Sequence, residues 1–569
     1  MVLAGIDFPL KLQCSSFRIY FMISWIKDFL LVTLLVGTLF GATLGKYPLA
    51  APDGGRYAEI PREMVVTGNY ITPHLNGVKY FEKPPLFYWM QAASIKIFGV
   101  NDFAASIVNA LMALLCTLCI YFTSRKLYGR LPGVLSSFIF ATSGLVFALT
   151  RAVTIDVALT FFLTSSLCSF LLATQLPLGF KRSLYLWLMY IFAACAVMTK
   201  GLIGMIFLGL IIMIWFTIFG EWRNLKNYSI ISGCFIFLLL TLPWHILVQI
   251  KNPEFFHFYF VEQHFLRYFT DYAGRTKKWW FLPLLTLIGS YPWLIFLPQT
   301  INHNLKKSFK EWQQSKTTVF LLLWIVVIYV FYTFSNSKLI PYILPIFPPL
   351  AMLIGNYLAA SFQNNKSRQI DIGFYTLLTI NIALGISAIA ATFILDFNEQ
   401  AFTKQNLYIV AVSMIINALI TVIAYRRRGL ALGFVALTVV TSILWLYVSP
   451  TITTINRQSI KPLITVIKQK LKPEDEVICY GSYYQELPFY LERTVTVANF
   501  FGELEFGTKH QDTKAWMIDQ KTFWERWLSN RTIYLITSEG NYRNLLPQAP
   551  DKMRIIAKLW DTLLVTNTK

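Results

Sequence analysis

Apolar residues run in long, nearly unbroken stretches along this chain, such as "LLVTLLVGTLF" (30–40) and "FLLLWIVVIYVFYTF" (320–334). About 20 such residues wound as a helix cross a hydrocarbon core of about 30 Å. Backbone groups in lipid must be satisfied within the segment, so these runs are read as helices. Thirteen spans are predicted, at 26–44, 102–123, 131–150, 154–175, 183–199, 202–220, 228–250, 279–300, 317–335, 341–361, 371–395, 406–425 and 429–449. "PPLFYWMQAASIKIFG" (84–99) is apolar but short, and predicts a helix lying in the membrane interface. From about 451 the pattern changes to short mixed runs, among them "DEVICYG", "RTVTVAN" and "RTIYLIT". The expectation is an all-α polytopic membrane part, 1–450, followed by a small external α/β domain, 451–569.

Composition agrees with the pattern. Over 569 residues, 56% are hydrophobic and only 14% charged, which excludes an ordinary soluble protein. The formal net charge of +21 comes from basic residues scattered between spans. That scatter argues against a nucleic-acid partner and suits membrane lipids or an anionic substrate. With the N-terminus placed inside, sixteen Lys and Arg fall in six cytoplasmic loops and four in the short external ones. Two longer external loops add eleven, thinly spread. The positive-inside rule therefore puts the N-terminus in the cytoplasm and the C-terminus outside. No cleavable leader is expected, and the first span reads as a retained anchor. Most of the seven cysteines lie in spans, where Cys acts as a small hydrophobe.

The unusual charges fall on the external face. The loop 45–101 contains "PDGGRYAEIPREM" (52–64) and carries Asp53, Arg56, Glu82 and Lys83. Asp156 and Lys200 stand at external ends of spans, Glu262, His264 and Arg267 in a long external loop, and Lys338 with Tyr342 in another turn. Singly, each has an ordinary structural use. Asp156 could cap its helix, Lys200 and Lys338 could snorkel, and Tyr57, Tyr80 and Tyr342 could belong to an interfacial belt. Together they offer cations for a phosphate and carboxylates for acid–base or metal work. The Gly54–Gly55 pair is read as a turn that brings backbone close to a ligand, with a helix beginning near Arg56.

These motifs, with "NGVKYFEKPPLFYW", "TIDVALTFFLT", "MTKG", "EQHFLRY" and "SKLIPYILPIFPPLA", resemble the lipid-phosphate-sugar-dependent glycosyltransferases of the GT-C fold, which include protein O-mannosyltransferases. The likeness is nearest to the bacterial aminoarabinose transferases of lipid A. It continues, more weakly, in "ELPFYLERTVTV" and "GELEFG" near the C-terminus. The resemblance implies a bacterial inner-membrane enzyme whose active site and C-terminal domain face the periplasm. Its donor would be a sugar on undecaprenyl phosphate, expected to be 4-amino-4-deoxy-L-arabinose, and its acceptor a lipid A phosphate. By the same resemblance, Asp53 is the catalytic aspartate and Asp156 a second acidic position. Glu82 and His264 match a pair holding a divalent metal ion, and Lys83, Arg267 and Tyr342 lie where the carrier phosphate is held. Lys200 falls at a nearby basic position, and Arg56, Tyr57, Tyr80 and Lys338 are neighbours of the site. One position departs: Gly54 stands where the family carries an acidic residue.

Two other readings stay open on the sequence. One is the same fold with another acceptor, a protein hydroxyl or an envelope glycan. The other is a transporter of a lipid-linked sugar, which would place its charges near the midplane and show repeated halves. Charges gathered at one face and the absence of a visible repeat favour the enzyme.

Overall fold

The structure is a computed structural model that describes residues 10–270, 274–305, 309–363, 368–394, 401–455 and 459–568. Among them, nine helices are long and apolar enough to cross a membrane, and eleven if two bent pairs each count as one span. The bends are 57° between Arg130–Thr142 and Gly144–Arg151, and 105° between Phe281–Gly289 and Trp293–Leu305. Ile203–Phe219 is apolar but only 17 residues long. The stretch Gln405–Ser449 is two helices, because Gly429 at φ 76° breaks it. Asn417 Nδ2 donates to Thr441 Oγ1 at 3.1 Å. A straight helix would hold residues 24 apart at about 36 Å, so the chain must fold back at the "RRRG" turn. With that hairpin divided and Ile203–Phe219 admitted, a helix or bent pair stands at each of the thirteen expected segments.

The loop after the first helix, α1 (Leu10–Gly41), is largely ordered structure. It forms helix α2 (Asp53–Thr67), a hairpin of β1 (His74–Leu75) and β2 (Val78–Lys79), and helix α3 (Leu86–Phe98). Helix α4 (Asp102–Tyr128) then enters the bundle. The hairpin turns on Asn76 and Gly77, both at positive φ (54° and 72°), as an Asn-Gly two-residue turn requires. The segment expected in the interface is α3, and one of its faces packs on α4: Gln91 Nε2 donates to the Ala105 carbonyl (2.8 Å) and Ser94 Oγ to that of Ala104 (2.7 Å).

The C-terminal unit is a six-stranded sheet ordered β5-β4-β3-β6-β8-β7. Its strands are β3 (Glu476–Tyr480), β4 (Thr496–Ala498), β5 (Met517–Ile518), β6 (Ile533–Ser538), β7 (Arg554–Leu559) and β8 (Thr562–Thr566). The first four pair in parallel through helical crossovers, and β7–β8 is an antiparallel hairpin on the edge. This sheet unit shares one apolar cluster with α2, α3 and α4, in which Tyr57, Ile60, Phe87 and Tyr88 meet Leu463, Val477, Leu487 and Phe489.

Polar contacts fix the docking. Asn76 exchanges two 2.9 Å hydrogen bonds with the backbone of Val495, and Trp516 Nε1 donates to the Asn76 carbonyl (2.9 Å). Tyr490 accepts from the Leu49 amide at 2.9 Å and donates to Asp102 at 2.5 Å.

Here the reading of Gly54–Gly55 is corrected. Both lie inside α2, which begins at Asp53, and Gly55 approaches protein rather than a ligand. A Cβ on Gly55 would stand 2.3 Å from the Glu486 amide nitrogen. Glycine is what lets α2 lie against the C-terminal unit.

Candidate active site

Helix α2 divides its charges between two jobs. Glu59, Arg62 and Glu63 are buried and serve structure. Arg62 makes two 2.6 Å bonds to Glu59, and Glu63 accepts from the Gly77 amide at 3.0 Å. Burial, with Glu59 beside it, pushes the Glu63 carboxyl well above its ordinary range. Asp53 and Arg56, a turn earlier, belong to another group. Arg56 Nη1 donates to Asp53 at 3.0 Å, and its guanidinium stands 6.0 Å and 5.9 Å from the ring centroids of Tyr57 and Tyr80. Tyr57 and Tyr80 are both buried, and the Tyr80 hydroxyl has no hydrogen-bond partner among the described residues.

Beyond the hairpin the chain delivers Glu82 and Lys83. Arg267 pairs with Glu82 at 3.4 Å. Burial alone would raise the Glu82 carboxyl, but Arg267, Arg56 and Lys83 outweigh it and hold it near 2. Lys83 donates to the Glu82 carbonyl (2.9 Å), and burial together with Arg267 pulls its ammonium down to about 7.

The helix Ile155–Thr174 is capped by Thr154, whose hydroxyl accepts from the Asp156 amide. Asp156 is therefore free of capping duty, and it pairs with Lys200. Lys200 Nζ also lies 4.4 Å from the centroid of the Tyr342 ring. The following Gly201, at φ 90°, explains "MTKG": a Cβ there would come within 2.5 Å of His264 Nε2.

His264 sits in a π-helical turn, His257–Leu266, a geometry common at functional sites. Its Nδ1 bonds the Tyr259 carbonyl at 2.6 Å, and its Nε2 accepts from the Leu202 amide at 3.2 Å. Burial pulls the ring down to about 4, so it is neutral at pH 7. With Nδ1–H turned to a carbonyl, the ring carries its proton where metal-binding histidines usually do, but in this structure the Nε2 lone pair is taken by the Leu202 amide. The donor set of one imidazole and one carboxylate fits part of a divalent-ion shell. Among the described residues, no group of three or more His, Cys, Asp or Glu that could hold a metal ion is found.

A cavity of about 450 Å³ opens between these elements. Lys83, Lys200, His264, Arg267 and Tyr342 line it, with Ile203, Ile206, Phe265 and Phe331 forming apolar wall. Asp53, Arg56, Tyr57, Tyr80, Glu82 and Asp156 do not line the cavity; Glu82 pairs with Arg267 and Asp156 with Lys200, both of which do. Lys338 lies outside this arrangement. Its Nζ is turned to the Ser335 carbonyl at 2.5 Å, and it does not line the cavity.

One residue of this constellation has no counterpart in the sequence reading. Glu503, from the C-terminal unit, stands 2.5 Å from Arg56 Nη2. The usable signal was Arg56 itself, since a buried guanidinium demands more than one partly exposed carboxylate.

A helical membrane body with a cation-lined cavity at the foot of a charged loop suits an enzyme acting on anionic, lipid-borne substrates. The comparisons make its class a membrane glycosyltransferase. Residues 48–259 match the family model described as dolichyl-phosphate-mannose-protein mannosyltransferase, and 463–567 that of the aminoarabinose transferase C-terminal domain. The chain is 30% identical to the undecaprenyl phosphate-alpha-4-amino-4-deoxy-L-arabinose arabinosyl transferase 1 of Pseudomonas fluorescens, over 69% of each. Its likeness to the same enzyme of Shewanella sediminis is 27%, over 85% of this chain and 88% of the relative. Its fold matches the crystal structure of ArnT from Cupriavidus metallidurans bound to undecaprenyl phosphate, with TM-score 0.84, 24% identity, and coverage of 96% of this chain and 98% of that one. The chain belongs to the family of undecaprenyl phosphate-aminoarabinose arabinosyl transferases.

Proposed function

We propose that this protein moves 4-amino-4-deoxy-L-arabinose from undecaprenyl phosphate to a phosphate of lipid A, at the periplasmic face of the bacterial inner membrane. The observation that carries the reading is the cavity, in which three cations meet an apolar wall. A polyprenyl phosphate presents the matching surface, a charged head on a hydrocarbon chain.

In this reading, an oxygen of the acceptor phosphate attacks the anomeric carbon while the bond from that carbon to the carrier phosphate breaks. The bonding electrons go to the carrier phosphate oxygen. Arg267 and Lys83 are placed to stabilise that charge, and preorganised cations in a poorly solvated site are worth more than in water. Lys200 arrives as half of a pair with Asp156, so it positions the head group more than it adds charge. An ionised acceptor phosphate needs no base, and Asp53 then orients it. Glu82 and His264 would hold a divalent ion, which would supply charge neutralisation at the leaving phosphate. The sheet unit, described over 459–568, acts as the cover of the catalytic loop.

Mass spectrometry of lipid A from cells with and without the protein tests the proposal. An aminoarabinose mass increment that depends on the protein supports it. Transfer of a hexose to protein instead would favour the second reading, motivated by the match of residues 48–259 to the mannosyltransferase family model.

A further inference from the structure

From the segment "GELEFG" (502–507), the C-terminal unit places a carboxylate, Glu503, beside Arg56. Glu503 is nearly buried, its side chain 13% exposed. Its Oε2 lies 2.5 Å from Arg56 Nη2, and its Oε1 accepts from Gln485 Nε2 at 2.7 Å. Arg56 turns its other terminal nitrogen, Nη1, to Asp53 at 3.0 Å. One guanidinium thus bridges two carboxylates, an inner one from residue 503 and an outer one, Asp53, whose side chain is 47% exposed. The planar fork of arginine suits this bridging, which lysine cannot copy.

The segment is anchored independently of that ion pair. Phe506 stacks on Phe258 with centroids 3.8 Å apart and meets Phe81 edge-on at 6.2 Å. Gly507 lies against the Lys79 backbone so closely that a Cβ would come within 2.3 Å of the carbonyl oxygen. Phe81 precedes Glu82, and Phe258 sits in the turn that carries His264. Glu503 is thereby held in register with the catalytic loop on two sides. By contrast, among the described residues none beyond Tyr342 lines the cavity.

From this division we infer that Glu503 is a positioning residue for the transfer reaction. It fixes Arg56, and through Arg56 the place of the Asp53 carboxylate, so the C-terminal unit contributes to turnover and not to carrier binding. The inference rests on the proposed role of Asp53 in orienting the acceptor. A displacement of about 1 Å in such a group costs on the order of 10²-fold in rate.

The test uses the full-length protein in detergent, with undecaprenyl phosphate-linked aminoarabinose as donor and lipid A as acceptor. Glu503→Gln should lower kcat by about 10–100-fold, leaving the KM for donor and the binding of undecaprenyl phosphate at wild-type values. Glu503→Asp should restore part of the loss, and Arg56→Lys should reproduce it. In the Arg56→Lys background, Glu503→Gln should add nothing, as expected when two residues act as one unit. Wild-type kcat in Glu503→Gln overturns the inference, and so do losses that multiply in the double variant. A parallel fall in kcat and carrier binding would make Glu503 merely structural. Should Glu503→Gln not fold, Arg56→Lys and Glu503→Asp carry the same test of kcat against KM. Absence of aminoarabinose transfer by the wild type would overturn the proposed function instead, before any variant is compared.

Discussion

Two groups of buried charge in this protein lie at opposite ends of the helix bundle and behave differently. Near the cytoplasmic ends proposed for α1 and α4, Asp28 accepts from Arg125 and from Arg130, the latter through two bonds of 2.8 and 2.7 Å. Arg125 also donates to the Tyr121 hydroxyl (2.6 Å) and to Ser24 (2.8 Å), and its guanidinium lies 4.1 Å from the centroid of the Trp25 ring. Asp28 and Arg125 are buried, and no residue of this cluster lines the cavity. At the other end, Lys83, Lys200, Arg267 and His264 face an open cavity, and buried hydroxyls such as those of Tyr80 and Tyr88 lack partners among the described residues. Ionisable groups at membrane depth are usually functional. Here the distinguishing mark is not burial or charge but whether the charges face a cavity.

The largest effect expected is at the cavity end. Asp53→Asn should reduce transfer by about 10²-fold, the order of cost when a reactant is no longer held in place, with carrier binding retained. Lys83→Ala should weaken donor binding as well as turnover, because it removes a phosphate-facing cation. Both are read by lipid A mass spectrometry beside undecaprenyl phosphate binding to the purified variants. Near-normal modification with Asp53→Asn would remove this carboxylate from the mechanism.

Asp28→Asn should do the reverse. It removes the carboxylate on which Arg125 and Arg130 converge, and breaking a buried pair costs about 3–5 kcal/mol. A lower melting temperature in detergent is expected, with normal turnover per folded molecule. If folded Asp28→Asn protein turned over poorly, the contrast between the two ends would fail.

How much of this was legible beforehand depended on the range of the physics involved. The spans were, because lipid forces hydrophobicity into a local pattern of about 20 residues. The hairpin at Gly429 was, from "RRRG" between two apolar runs. The bends at Ser143 and near Pro292 were not, since both runs read as continuous. Asp53, Glu82, Lys83 and His264 stood out as charges beside membrane segments, and the resemblance gave them roles. Glu503 stayed hidden because its partner, Arg56, is more than 400 residues away, and a glutamate in a soluble unit is unremarkable. Gly55 was misread for the same reason: its neighbour at Glu486 belongs to the other end of the chain.

Glu486 shows a third way to bury a carboxylate, which is to make its ionisation costly. Its Oε1 accepts from the Ile460 amide (2.5 Å) and from Ser459 (2.9 Å), while burial pushes the carboxyl up to about 7. The folded state therefore holds a proton that the unfolded chain releases near 4.5. This stabilisation is full below about pH 4.5 and is lost as pH rises through 7, on the order of 3 kcal/mol in total. Melting temperature should fall between pH 5 and 8, and Glu486→Gln should flatten that slope. An unchanged slope in the variant would assign the pH dependence elsewhere.

The smallest effect tests the cavity criterion where it disagrees with sequence position. Lys338 lies beside the cavity-lining Ser337 and was expected to bind substrate, yet its ammonium is turned to the Ser335 carbonyl and contributes nothing to the cavity wall. By the logic of the Asp28 cluster it is a satisfied structural charge. Lys338→Gln can keep a donor for the same carbonyl, so it should cost about 1 kcal/mol of stability or less, the net worth of one hydrogen bond. The KM for donor should stay within about two-fold of wild type, because a uniform-binding loss appears in KM only when the removed group touches the substrate. Lys200→Gln, assayed alongside, should raise KM clearly, since Lys200 does line the cavity. A tenfold rise in KM for Lys338→Gln would return this lysine to the phosphate site and show that a cation already bonded to backbone can still be recruited by the carrier.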